Sequence, residues 1–222
     1  MKRTRVVPLT RRAWLAQCSL IAAAFAGAQA SARAMARPTK VLVVGDSLSA
    51  EYGLARGSGW VALLEQRLQR EKVGATVVNA SISGDTSSGG RTRLPSLLEQ
   101  HKPTHVIIEL GSNDALRGLP LAMTRDNLAS MLRAVHGTGA QALLVGMRMP
   151  PNYGRTYTQE FESMYSALAK AEGAALVPFM LAGVADSPQA GTLFQDDRMH
   201  PNAQAQPIIV DNIWPVLRRQ LR

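Results

Sequence analysis

The sequence predicts an α/β fold, a mostly parallel five-stranded sheet sandwiched between two layers of helices. Three observations carry this. Five short apolar runs rich in Val, Ile and Leu alternate with longer stretches whose apolar residues recur every three or four positions. The runs lack the in–out alternation of a half-exposed strand, so helices are expected on both faces. Glycine-bearing polar clusters follow the runs, at the carboxyl edge where open parallel sheets place their sites.

Lys40–Val44 is the first expected strand, closed by Gly45. In Trp60–Arg70, Val61, Leu64 and Leu68 fall at helical spacing. Ala75–Asn79 is the second strand. The Gly/Ser-rich stretch Ser81–Gly90 is expected as a loop leading to a helix over about Arg93–His101. Val106–Leu110 is the third strand, ended by Gly111. A helix over about Leu121–His136 sets Leu128, Leu132 and Val135 on one face. Ala142–Gly146 is the fourth strand, Phe161–Glu172 a helix and Ala175–Val177 a short fifth strand. The last helix covers about Ala203–Leu217. Pro207, early in it, lacks an N–H and is expected to kink it, unsettling the loop before it; Pro215 lies near its end.

The chain has 222 residues and 46% hydrophobic residues, enough for one domain with a leader. Its formal charge of +9 invites a nucleic-acid reading, but the distribution argues against one. Residues 1–36 carry Lys2, Arg3, Arg5, Arg11, Arg12 and Arg33 and no acid. The rest has 19 basic and 16 acidic residues, a net of only +3.

Residues 1–36 read as an export signal. A basic start is followed by the apolar Ala13–Ala16 and Leu20–Gly27, then by small-residue cleavage sites such as Ala28-Gln29-Ala30. The run is well short of the ~20 apolar residues that span a bilayer, which disfavours a stable membrane anchor. Thr10–Leu15 also resembles a twin-arginine signal, although a general secretory signal is the simpler reading. The expected location is therefore periplasmic or secreted, with residues 37–222 as the working domain. Cys18, the sole cysteine, lies in the leader, so residues 37–222 offer neither a disulfide nor a thiol nucleophile. The four histidines form no HExxH pair and no Cys/His cluster, so no metal site is expected.

Three polar clusters follow strand ends: Gly45-Asp46-Ser47, Ser83-Gly84-Asp85 and Gly111-Ser112-Asn113-Asp114. Asp197 and His200 precede the last helix. Taken alone, Gly-Asp-Ser is a turn serine or a helix N-cap. His200 changes that, because a serine nucleophile needs a base and imidazole titrates in the useful range. Asp197, three residues earlier, can reach Nδ1 of the imidazole, fix its tautomer and stabilise the imidazolium. A tetrahedral intermediate also needs donors for its oxyanion: the N–H of Ser47, the unobstructed N–H of Gly84 and the side-chain amide of Asn113. Each is an ordinary loop residue by itself; their joint order is not.

In these segments the chain resembles the SGNH (GDSL) hydrolases, specifically the bacterial periplasmic thioesterase, lysophospholipase and arylesterase group. The resemblance runs from about Thr39 to Leu217. It is carried by Val44–Ala50, Asn79–Thr86, Gly111–Gly118, Arg148–Gly154 and Asp197–Asn202. It implies a flavodoxin-like three-layer sandwich, with Ser47, Gly84, Asn113 and His200 in the four named positions and Asp197 completing a triad. Ser112 stands where this group often has a second glycine.

The expected activity is hydrolysis of carboxylic esters or thioesters through an acyl-enzyme: aryl esters, acyl thioesters or lysophospholipids. It calls for no cofactor and no nucleic-acid partner, and a monomer suffices. One rival keeps the fold but takes carbohydrate O-acetyl esters. Another is a non-catalytic binding module, whose sign would be a missing triad member. A phosphate-binding reading of Ser81–Gly90 lacks the GxxxxGK[ST] pattern. His101, His105 and His136 are expected to be structural or solvated, and Arg67, Arg70 and Lys72 to form a solvated helix face; Met147 and Met149 are candidates for the pocket lining, although methionine more often fills the core.

Overall fold

A computed structural model describes residues 38–222; the leader expected over residues 1–36 lies outside them. Five strands form one sheet: β1 (Thr39–Gly45), β2 (Ala75–Asn79), β3 (His105–Glu109), β4 (Gln141–Val145) and β5 (Ala175–Val177). Their order is β2-β1-β3-β4-β5, and all four pairings are parallel. The order reverses beside β1, where the chain steps first to β2 on one side and then to β3 on the other. A reversal of this kind opens a crevice at the carboxyl ends of the two strands.

The helices are α1 (Trp60–Arg70), α2 (Ser87–His101), α3 (Ser112–Leu116), α4 (Leu121–Gly137), α5 (Arg155–Glu172), α6 (Ala190–Leu193) and α7 (Gln206–Gln220). Right-handed crossovers put α1 on one face and α2, α4 and α5 on the other. Accordingly α1 packs on α7, α2 on α4 and α4 on α5. This is the expected three-layer sandwich. Val41–Val44, Val106–Ile108 and Leu143–Val145 are buried, which explains their unbroken apolar runs. Each such side chain contributes ~1.5–3 kcal/mol when removed from water. The edge strand β2 is only partly buried.

Several boundaries differ from expectation. Helix α2 begins at Ser87, inside the stretch read as a loop. Thr86 caps it by accepting from the Gly89 N–H, and the Ser87 N–H reaches the Asp114 carboxylate at 2.8 Å. Gly90 is needed for close packing: a Cβ there would stand 2.3 Å from Leu110 Cδ1. Helix α5 starts six residues earlier than predicted, because its first turns are mostly polar and only Tyr157, half-buried against the core, continues the apolar spacing back from Phe161. Pro207 does not kink the last helix. That helix starts at Gln206 after a 3₁₀ turn at Ala203–Ala205, which puts Pro207 in its first turn, where the missing N–H has no partner to lose.

Arg67 is not merely solvated. It pairs with Glu71 and Asp211 and lies over the Trp214 ring at 5.0 Å, tying α1 to α7. Met147 and Met149 are buried in the core, the commoner of the two roles expected for them. His105 is buried at the amino edge, between Thr104 Oγ1 and the Gln220 carbonyl, and burial lowers its pKa. Among the described residues no helix is long and apolar enough to cross a membrane.

Candidate active site

The first strand delivers Ser47 over a closely packed turn. Gly45 is required there: a Cβ would lie 2.7 Å from Ser49 Oγ and 2.8 Å from Glu109 Oε2. Asp46 next to it is buried and works as a bracket. Its Oδ1 accepts from the Leu48 N–H at 3.0 Å, its Oδ2 accepts from Asn113 Nδ2 at 3.0 Å, and its N–H donates to Glu109 Oε2. Ser49 Oγ donates to the same Oε2 at 2.7 Å and accepts from Trp60 Nε1 at 3.2 Å. Burial pushes the Asp46 carboxyl up to about 6. Glu109, wholly buried and facing Asp46, is raised well above the usual carboxylate range, first by burial and then by the Asp46 charge. Its Oε1 has no hydrogen-bond partner among the described residues. A neutral Glu109 beneath an ionisable Asp46 fits that environment, because a buried anion with an unpartnered oxygen is costly.

The segment from Gln195 to Asn202 arches back over this turn. An isolated antiparallel bridge joins Phe194 to Pro201, and the Gln195 N–H donates to the His200 carbonyl at 2.8 Å. Arg198 takes a left-handed conformation at the tip, with φ of 56°. Asp197 Oδ1 accepts from the N–H groups of Met199 and His200 at 2.9 and 3.0 Å. Its Oδ2 lies 2.6 Å from His200 Nδ1. The carboxyl is lowered to about 2, most of all by the His200 N–H, against a burial penalty and with further help from the Met199 N–H and the imidazole. With Asp197 ionised, Nδ1 carries the imidazole proton, so Nε2 accepts from Ser47 Oγ at 2.9 Å. The Tyr52 ring covers the imidazole, with centroids 4.4 Å apart.

Two glutamines that the sequence did not single out hold this arch. Gln195 Nε2 donates to the Tyr52 and Pro201 carbonyls, linking the histidine loop to the serine loop. Gln206 accepts from the Trp60 N–H at 3.0 Å and donates to the Pro201 and Asn202 carbonyls, linking the loop to α1.

The three expected oxyanion donors converge on the same edge. Gly84 has φ of +77°, and only Arg117 Nη2, at 3.7 Å, would meet a Cβ there, so its position favours glycine and stays open. Among the described residues the N–H groups of Ser47 and Gly84 have no hydrogen-bond partner. Asn113 differs: its amide hydrogens already go to Asp46 Oδ2 and the Asp85 carbonyl, each at 3.0 Å. Asp114 beside it is structural, buried and bonded to Ser87 and Thr124. A cavity of about 370 Å³ between α5 and the end of β5 holds none of these residues. Among the described residues no three His, Cys, Asp or Glu side chains are grouped to hold a metal.

Residues 43–207 match the model of the GDSL-like Lipase/Acylhydrolase family. The chain belongs to that family. An esterase, TesA, from Pseudomonas aeruginosa is 51% identical over 178 residues, 80% of this chain and 87% of that protein. Thioesterase 1/protease 1/lysophospholipase L1 of Escherichia coli is 46% identical over 179 residues, covering 81% of this chain and 83% of that protein. The crystal structure of the psychrotrophic esterase EstA from Pseudoalteromonas, inhibited by monoethylphosphonate, superposes with a TM-score of 0.77 at 39% identity, over 82% of this chain and 98% of that one. This GDSL-family chain is an ester hydrolase on an α/β sheet, as the sequence predicts; the names of its relatives lend nothing to the O-acetyl esterase rival.

Proposed function

We propose that this enzyme hydrolyses carboxylic esters and thioesters with Ser47 as nucleophile, His200 as general base and Asp197 as its orienting partner. The reading rests on one chain of contacts: Ser47 Oγ to His200 Nε2 at 2.9 Å and His200 Nδ1 to Asp197 Oδ2 at 2.6 Å. Ser47 Oγ attacks the ester carbonyl as its proton passes to Nε2. The C=O π bond opens and the negative charge moves to oxygen. The imidazolium then protonates the leaving alcohol or thiol, the C–O or C–S bond breaks, and an acyl-serine remains. Water, deprotonated by the same Nε2, attacks that ester and releases the acid.

The free N–H groups of Ser47 and Gly84 point the oxyanion to the gap between β1 and β2. Asn113 joins them by sharing a hydrogen now directed at Asp46 or Asp85, so its donation is made only as charge develops. An interaction of that kind lowers the barrier without tightening substrate binding. Aryl esters, acyl thioesters and lysophospholipids are the expected substrates. The chain is expected to act in the periplasm or outside the cell as a monomer, after removal of residues 1–36.

The test is a steady-state comparison on p-nitrophenyl esters and an acyl thioester. Ser47→Ala, with its circular dichroism spectrum unchanged, is expected to lose kcat by at least about 10⁴-fold on both. Turnover within ten-fold of the parent would remove Ser47 from the mechanism.

A further inference from the structure

Tyr52 is presented to the site by an unusual stretch of backbone. Glu51 before it and Gly53 after it both take left-handed conformations, with φ of 60° and 68°. A residue other than glycine rarely does so, and keeps the conformation only where its surroundings impose it. Here Glu51 turns its carboxylate back on its own loop, accepting from the Gly57 N–H at 3.0 Å and the Gly59 N–H at 2.8 Å. Gly53 admits Gln195, whose Oε1 would collide with any Cβ at that position. Tyr52 itself is tied at both backbone groups. Its N–H donates to the Ser47 carbonyl at 3.4 Å, and its carbonyl accepts from Gln195 Nε2 at 2.8 Å. The side chain so aimed meets the His200 imidazole at 4.4 Å between centroids, with the ring planes 39° apart. A separation at the short end of the ~4.5–7 Å range of aromatic pairs, with so shallow a tilt, is a contact of faces and not of edges. Core packing does not account for this loop, because Tyr52 remains 51% exposed.

We propose that Tyr52 is a positioning residue that fixes the plane of the His200 ring, and that the second half of the reaction, release of the acyl group, depends on it most. In the free enzyme the imidazole makes two side-chain hydrogen bonds among the described residues, Nδ1 to Asp197 and Nε2 to Ser47 Oγ. Acyl transfer removes the second. The Ser47 proton has left with the alcohol or thiol, and Oγ, now an ester oxygen, has no hydrogen to donate. The neutral Nε2 must instead hold a water. A single bond at Nδ1 is a pivot about which the ring can swing, and the Tyr52 face stops that swing. With the ring held, the water oxygen attacks the acyl carbon while its proton passes to Nε2. The same proton then goes to Ser47 Oγ as the C–Oγ bond breaks. Loss of orientation at the reacting centre is costly, on the order of 10²-fold for a displacement of ~1 Å. This role rests on Ser47 forming an acyl-enzyme, the reading proposed above.

The test compares the parent, Tyr52→Leu and Tyr52→Phe during turnover of saturating p-nitrophenyl butyrate. Rapid acid quenching and mass spectrometry give the fraction of each enzyme that carries a butyryl group on Ser47. That fraction and kcat together yield the rate constants of acylation and deacylation. Tyr52→Leu, which keeps bulk but has no ring, is expected to slow deacylation about ten-fold and acylation by no more than about three-fold. Tyr52→Phe keeps the ring and is expected to restore both constants. A merely structural role would lower the two steps together, with the acylated fraction unchanged. Equal slowing of both steps, no slowing of either, or a Tyr52→Phe enzyme as slow as Tyr52→Leu would overturn the inference and leave the esterase reading intact. A parent that turns over with no acyl group on Ser47 would instead overturn the Ser47 reading, and the role of Tyr52 with it.

Discussion

Beneath Ser47 the chain is packed shut, whereas above it the proposed partners of Ser47, Asp197 and His200, ride on an open arch. Asp46, Ser49, Trp60 and Glu109 are each at most 1% exposed and bonded to one another across β1, β3 and α1. Asp196 to Met199 are all exposed, and the arch is held by two glutamines, one bridge and the Asp197 turn. The carboxyls of the two regions are displaced in opposite directions. Burial raises Asp46 and Glu109, while donated N–H groups lower Asp197. The floor fixes where the serine stands by burial, at the cost of charge; the arch holds a charge beside the imidazole because it stays near water. Stability and catalysis should therefore separate between the two regions.

The largest expected effect is on activity alone. His200→Ala should lower kcat/KM by at least about 10⁴-fold, and Asp197→Asn by about 10³–10⁴-fold by offering the wrong tautomer. Both should shift the free energy of unfolding by no more than about 1 kcal/mol, since little packing is lost. Urea unfolding of the same preparations checks this. Trp60→Ala should do the reverse, costing ~3–5 kcal/mol of stability while the fraction that remains folded keeps kcat within about ten-fold. If Trp60→Ala proved neutral to stability, the floor would not be the anchor described here. Gln195→Ala, which unties the arch from Tyr52, should cost about 1 kcal/mol and lower kcat about ten-fold with little change in KM.

The smallest effect is the most specific to the comparison. Asp46 and Glu109 have folded pKa values above their ordinary ones, so their contribution to stability is complete below about pH 4. It falls as the pH rises through about 6, because the unfolded chain releases protons that the native floor retains. Asp197 runs the other way: its contribution is present above about pH 4 and is lost as the pH falls toward 2. Glu109→Gln keeps the shape and the acceptor for Ser49 but removes one titrating group. It should flatten the fall in urea midpoint between pH 4 and 7 and leave the acid limb unchanged. An unaltered slope would remove Glu109 from that titration.

The strands were legible in the sequence because β1, β3 and β4 are buried on both faces and need continuous apolar runs. The proposed site residues stood out because Ser47, Gly84 and Asn113 each follow a strand end and Asp197 and His200 share the loop before the last helix, and the structure brings Ser47, His200 and Asp197 into one chain of contacts. The bonds that hold the site were not legible. Gln206 lies 146 residues from the Trp60 N–H it accepts from, and nothing in its local sequence marks it. Glu109 did leave a signal, a charge set inside the apolar run Val106-Ile107-Ile108-Glu109-Leu110, but its burial against Asp46 and Ser49 shows only in the structure. The start of α2 was hidden because Gly89 and Gly90 are poor helix formers, and only the packing of Gly90 under Leu110 shows why glycine is required. The commitment of both Asn113 hydrogens likewise follows from the meeting of three strand ends and from no single motif.

Covalent trapping tests the central assignment most directly. After reaction with a fluorophosphonate and digestion, mass spectrometry of the intact enzyme's peptides should find one phosphonyl group, on Ser47, formed slowly in His200→Ala and absent from Ser47→Ala. A phosphonyl group on any other residue, or equal labelling of Ser47→Ala, would contradict the account.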